Sequence, residues 1–242
     1  RSIVFWSLPA TALFIVLRAQ VVRVVLGAGE FGWADTRLTA AALALFAVSL
    51  VAQALALLLL RAHYASGRTA RPLVASALAA VTTAAVGVLL LALFRTHPPF
   101  AFFVEALLRV TDVPGTAALA LPLAFSLGAF LHAGLLWALL AESARGLWRS
   151  VSGTLFESFA AATLAGAAAY GGLQLFDNFL NLQKTAGVFL HGFLAGLLGI
   201  AAWAVVLYAL KNRDLADMWA TVHQKIWRSR PISPDPADNP TL

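Results

Sequence analysis

The sequence predicts an all-α polytopic membrane protein with six transmembrane helices. Three observations carry that reading. Mean hydropathy is +0.83, with 61% hydrophobic and 12% charged residues, far less charge than the surface of a water-soluble domain requires. Six stretches, at 3–26, 38–60, 73–94, 117–140, 155–175 and 186–210, are each long and apolar enough to cross a bilayer. Such a crossing takes about 20 residues, because ~30 Å of hydrocarbon is spanned at ~1.5 Å per residue. The apolar runs are unbroken rather than alternating, which excludes the strands of a β-barrel.

The same composition narrows the function. There is no cysteine, so disulfides and thiolate metal sites are excluded, and the five histidines show no ligand-like spacing. No metal or other cofactor is expected. The net charge is +6, but the basic residues gather at the ends of spans, where they meet anionic headgroups, so no nucleic-acid partner is expected. No Gly-rich phosphate loop, HExxH, GxSxG or pair of in-membrane carboxylates is present, so no enzyme activity is expected. The chain starts at Arg1 and runs straight into an apolar segment without the features of a signal peptide, which suggests a piece of a longer chain.

The connections carry turn chemistry. In GAGEFGWADT, Gly27 and Gly29 can end the first helix and Asp35 or Thr36 can cap the second. Ser66, Gly67 and Pro72 mark a tight turn, with Pro72 in the first turn of the third helix. Pro98, Pro99 and FAFFVEALLRV predict an interfacial helix lying on the membrane. Pro9 and Pro122 remove backbone donors and can kink the first and fourth spans. Beyond Leu210, the spacing of Leu215, Met218, Trp219, Val222 and Ile226 predicts an amphipathic surface helix, followed by a disordered Pro- and Asp-rich tail. Eleven of the 17 Lys and Arg (Arg1, Arg61, Arg68, Arg71, Arg145, Arg149, Lys211, Arg213, Lys225, Arg228 and Arg230) fall on one side. That side, with both termini, is expected to be cytoplasmic.

Polar residues inside spans are costly and are the candidates for function. Gln53, with Ser49 one turn earlier, is either a cavity wall or half of an interhelical hydrogen bond. His132 is a possible protonation site, or a neutral histidine paired with a neighbouring helix; His191 is expected at the interface. Arg18 and Arg23, in the outer third of the first span, are candidate phosphate ligands or snorkel to the headgroups. Arg61, Arg68 and Arg71 crowd one hairpin end, where topology or phosphate binding accounts for them. Gly166, Gly172, Gly192, Gly196 and Gly199 lie on small-residue faces suited to close helix packing or to a groove for a lipid chain.

Residues 1–72 carry a resemblance. Pro9, then Val22, Arg23, Gly27, Gly29 and Phe31, then Asp35, Thr36 and Thr39, and the hairpin of Arg61, Ala62, Tyr64, Ala65, Thr69 and Pro72 resemble the MurJ/MviN family of lipid II flippases. The run LPLAFSLGAFLHAGLL is similar to that family as well. The resemblance implies the multidrug/oligosaccharidyl-lipid/polysaccharide exporter-type fold, with two lobes rocking about a cavity and two added C-terminal helices. Residues 1–140 would then be the last four helices of the second lobe, 141–211 the groove-forming pair, and 212–242 the cytoplasmic helix and tail. It implies alternating-access transport of lipid II across a bacterial plasma membrane for peptidoglycan synthesis, with the lipid-linked glycan, membrane lipids and a missing N-terminal lobe as partners. Positions that some members fill with sodium ligands are Ala84 and Val88, so no sodium site is implied. The alternatives are export of another polyprenyl-linked glycan, of O-antigen or capsule type, and a non-transporting scaffold that binds lipid or a cell-wall synthase.

Overall fold

A computed structural model describes residues 2–27, 31–67, 69–140, 147–180, 182, 184–210, 212 and 215. Among them every regular element is a helix: α1 (Ser2–Val16), α2 (Arg18–Leu26), α3 (Trp33–Ala65), α4 (Ala70–Thr96), α5 (Pro98–Leu108), α6 (Ala120–Leu140), α7 (Leu147–Phe176) and α8 (Thr185–Ala209). A 3₁₀ turn, Thr116–Leu119, leads into α6. Five helices are long and apolar enough to cross a membrane, and α1 with α2 makes a sixth, broken span. The chain is a polytopic membrane protein, and its surface shows why. Large apolar side chains such as Val88 (72% exposed) and Phe156 (75%) face outward, while alanines fill the interior. A water-soluble protein would invert that arrangement.

Lipid tails are as apolar as leucine, so packing and hydrogen bonds hold these helices together rather than water exclusion. Along α3 the small buried residues Ala41 and Ala44 cluster with Ala120 and Ala124 of α6, and Ala52 and Ala56 with Ala133 and Leu136; the Ser126 hydroxyl of α6 donates to the Leu45 carbonyl at 2.5 Å. On its other side α6 packs on α4, completing one group of helices. Phe5 of α1, Ala161 and Ala165 of α7, and Trp203 and Leu207 of α8 form the core of the other group. α1 joins the two by packing on both α3 and α7.

The first span differs from expectation. It is not one helix kinked at Pro9. Pro9 lies inside an unbroken α1, and the 71° bend comes later, at Leu17. Leu17 is neither glycine nor proline; what fixes the bend is the neighbouring helix. A Cβ added at Gly196 of α8 would stand 3.1 Å from Leu17 Cδ1, and one at Gly192 would stand 2.9 Å from Gln20 Cβ. Glycine at both positions lets α2 fold down onto α8. Pro122 falls in the first turn of α6, where proline is well tolerated.

Caps refine the boundaries. Gly27 closes α2, and Gly32 is the N-cap of α3. Asp35 therefore caps from inside the helix, its carboxylate accepting the Gly32 N–H at 3.0 Å. The segment expected to be interfacial forms a short apolar helix, α5, with Phe102, Phe103 and Leu107 outward and Val104 and Leu108 inward. At the far end Asn212 donates to Glu157 Oε2 at 2.6 Å and accepts the Leu215 N–H at 3.3 Å. Apart from Leu215, the predicted amphipathic helix and tail, along with Gly29, Arg68 and Arg145, lie outside the described residues.

Candidate functional site

Polar chemistry collects where α2 ends and α3 begins. The C-terminus of α5 turns there through Arg109, a non-glycine residue in the left-handed region (φ 60°). Val110 N–H bonds the Glu105 carbonyl at 2.8 Å and Arg109 N–H the Ala106 carbonyl at 3.2 Å, a Schellman closure with arginine where glycine is usual. That backbone costs an L-residue about 1–2 kcal/mol. Two guanidinium groups hold it in place. Arg18 donates to the Leu108 carbonyl at 3.2 Å, and Arg37 donates to the Arg109 carbonyl and, through both Nη atoms, to Asp112. Cations on the last carbonyls of a helix satisfy orphan acceptors and oppose the negative end of its dipole. The hydrogen bond from Arg37, then one from its own backbone N–H, hold the Asp112 carboxyl below the usual carboxylate range.

Beside this clamp lies a pocket of about 140 Å³ between α2, the start of α3, the end of α7 and the start of α8. Its polar wall is Gln20, Arg23, Trp33, Asp177 and His191. The Arg23 guanidinium sits 6.0 Å from the Trp33 ring centroid, a cation–π distance. His191 is buried in the protein, and its Nε2 lies 2.8 Å from the Leu173 carbonyl. A carbonyl only accepts, so Nε2 carries the proton. Gln20 Oε1 is shut off from solvent without a donor. Among the described residues the only ion pair is Arg37 with Asp112, so Arg23 and Asp177 face the pocket unneutralised.

The residues singled out from the sequence are dispersed. Arg18 is committed to α5, whereas Arg23 lines the pocket. Gln53 is exposed and donates to Ser49 Oγ at 2.7 Å, and Ser49 in turn donates to the Phe46 carbonyl. The bond is within α3 instead of between helices, because side chains four apart meet on one face. Arg61 and Arg71 are exposed at the opposite, α3/α4 end of the bundle; Arg68 is not among the described residues. His132 Nε2 lies 2.9 Å from Ser76 Oγ across the α6–α4 seam. The single Ser76 proton goes to the Pro72 carbonyl, so His132 Nε2 is the donor to Ser76. The five glycines lie in seams. Gly166 faces Ala12 and Val16, Gly172 faces Ala195, Gly192 faces Gln20, Gly196 faces Leu17, and Gly199 faces Leu13, Ala165 and Ala169. Neighbouring helices occupy the space beside each, so the chain packs there and holds no open groove at these positions.

Sequence reasoning missed Arg37 as a clamp and Gln20, Trp33 and Asp177 as pocket residues. Arg37 and Asp112 are 75 residues apart, so no local spacing links them. It also missed His63, buried on α3 with both ring nitrogens unpartnered.

The family model described as lipid II flippase MurJ matches residues 1–97, which run from α1 to the end of α4. No curated protein and no solved structure matches the chain.

Proposed function

We propose, given that residues 1–97 belong to the MurJ family of lipid II flippases, that the chain is the C-terminal part of a lipid II flippase-like transporter. In this reading it moves a polyprenyl-pyrophosphate-linked peptidoglycan precursor from the inner to the outer leaflet of a bacterial plasma membrane. The family match across α1–α4 carries the proposal. The spans α1/α2, α3, α4 and α6 are the last four of the second lobe, and α7 and α8 are the added pair. The missing N-terminal lobe supplies the other wall of the cavity.

The task is to pass a charged, sugar-bearing head through hydrocarbon while the tail stays in lipid. Bare phosphate cannot cross hydrocarbon unpaired, so the route needs cations, and rocking of two lobes exposes it to each side in turn. Arg61 and Arg71, exposed at the α3/α4 end, suit the cytoplasmic entrance, where positive charge concentrates. The α2/α3 end, with its clamped α5, then lies outward. The glycine contacts of α7 with α1, and of α8 with α2, support the added pair moving with the first span rather than sliding against it.

Expression of the full-length gene in a bacterium depleted of its own lipid II flippase tests the proposal. Growth is expected to be rescued. Correct insertion without rescue contradicts it, and recovery of O-antigen or capsule export in its place moves the assignment to another lipid-linked glycan.

A further inference from the structure

Among the described residues, the pocket at the α2/α3 end holds charges of both signs that make no ion pair: Arg23 on one wall and the exposed Asp177 on another. A simple anion drawn to Arg23 meets repulsion from Asp177, and a simple cation meets the reverse. A group carrying both charges satisfies both walls.

The neutral polar atoms narrow the choice. Gln20 Oε1 only accepts, and it is sealed from solvent with no donor. His191 spends its N–H on Leu173, so while the ring is neutral its other nitrogen is an acceptor too. The positive end of the ligand must therefore carry N–H donors, which a primary ammonium has and a quaternary ammonium lacks. The space, about 140 Å³, is too small for a disaccharide. Leu182 and Val188 line the rest of the wall, and Trp33 is the residue type that settles at a lipid–water boundary.

We infer that this pocket seats a phosphoethanolamine group, its phosphate on Arg23 and its primary ammonium on Asp177 and Gln20. A phospholipid headgroup or the free compound offers the same chemistry. The inference rests on the pocket alone, so it stands or falls independently of the flippase proposal.

The full-length protein is purified in nanodiscs of phosphatidylethanolamine, phosphatidylcholine and phosphatidylglycerol in equal parts, delipidated stepwise, and its retained lipids are counted by native mass spectrometry. Phosphatidylethanolamine is expected to be retained several-fold over the other two. Arg23→Gln and Asp177→Asn should each abolish the preference, whereas Gly134→Ala, on open helix surface, keeps it. Gln20→Leu leaves both charges in place and should weaken the preference even if a charge variant fails to fold. In phosphatidylcholine discs, loss of retained phosphatidylethanolamine on adding soluble phosphoethanolamine identifies the headgroup as the bound part. Specific binding of the soluble compound without lipid retention makes the free molecule the ligand. Equal retention of phosphatidylethanolamine and phosphatidylglycerol overturns the inference, as does a preference that survives all three pocket substitutions.

Discussion

The Arg37 guanidinium grips the Asp112 carboxylate with both Nη atoms, at 2.6 Å to Oδ2 and 2.7 Å to Oδ1. The same side chain donates to the carbonyl of left-handed Arg109, so one residue at the start of α3 fixes the end of α5. An exposed pair of this kind adds little to global stability. Its effect is local. Arg37→Gln is expected to speed amide hydrogen exchange at residues 109–113 while barely moving the melting temperature. Unchanged exchange in that segment contradicts the clamp.

The clamp also has a pH dependence. The Asp112 carboxyl is held below its ordinary range by the Arg37 hydrogen bond, so the folded state favours the ionised form. That contribution is fully present above the ordinary aspartate value of about 4 and is lost as pH falls through the lower folded value. Exchange protection at the end of α5, corrected for intrinsic rates, should be flat from neutral pH to about 5 and fall only in stronger acid. Asp112→Asn should remove that acid-induced fall. A transition near neutral pH assigns the effect to another group.

Two glycines make opposite predictions. A methyl at Gly199 would stand 2.7 Å from Leu13 Cδ2 and 2.9 Å from the Ala165 carbonyl oxygen, whereas one at Gly134 meets nothing within 4 Å. Gly199→Ala is expected to destabilise by about 1–3 kcal/mol through overpacking. Gly134→Ala should be neutral or stabilising by up to about 1 kcal/mol from helix propensity. Reversible unfolding in mixed micelles measures both, and the reverse order contradicts the α8 seam.

Ser76→Ala removes the acceptor of the His132 donor between α6 and α4. Interhelical bonds in membranes average about 0.6 kcal/mol, so a loss of roughly that size is expected in the same assay. A loss no greater than that of Ala77→Ser, on the exposed face of α4, leaves the bond without a role.

The sequence carried the spans and their connections because bilayer thickness sets one length for every crossing, and because α5 announces itself with Pro98 and Pro99. It misplaced the bend in the first span because proline is the local signal, whereas the bend at Leu17 depends on two glycines of α8 far along the chain. The same limit explains the site. Arg23 was legible as an intramembrane cation, but its companions Gln20, Trp33, Asp177 and His191 converge from three helices and a connection, with no shared spacing. The sequence points Arg18 toward phosphate or headgroups, and its acceptor is instead a backbone carbonyl 90 residues away. Helix periodicity does not encode which carbonyl a long side chain reaches.

The most direct test of the transport proposal follows the lipid itself. In bacteria depleted of their own flippase and expressing the full-length protein, lipid II headgroups are scored by cleavage with a hydrolase confined to the outside of the plasma membrane. Cleavage restored to the level of undepleted cells is the expected result. A correctly inserted protein that leaves lipid II uncleaved, trapped in the inner leaflet, contradicts lipid II transport by this chain.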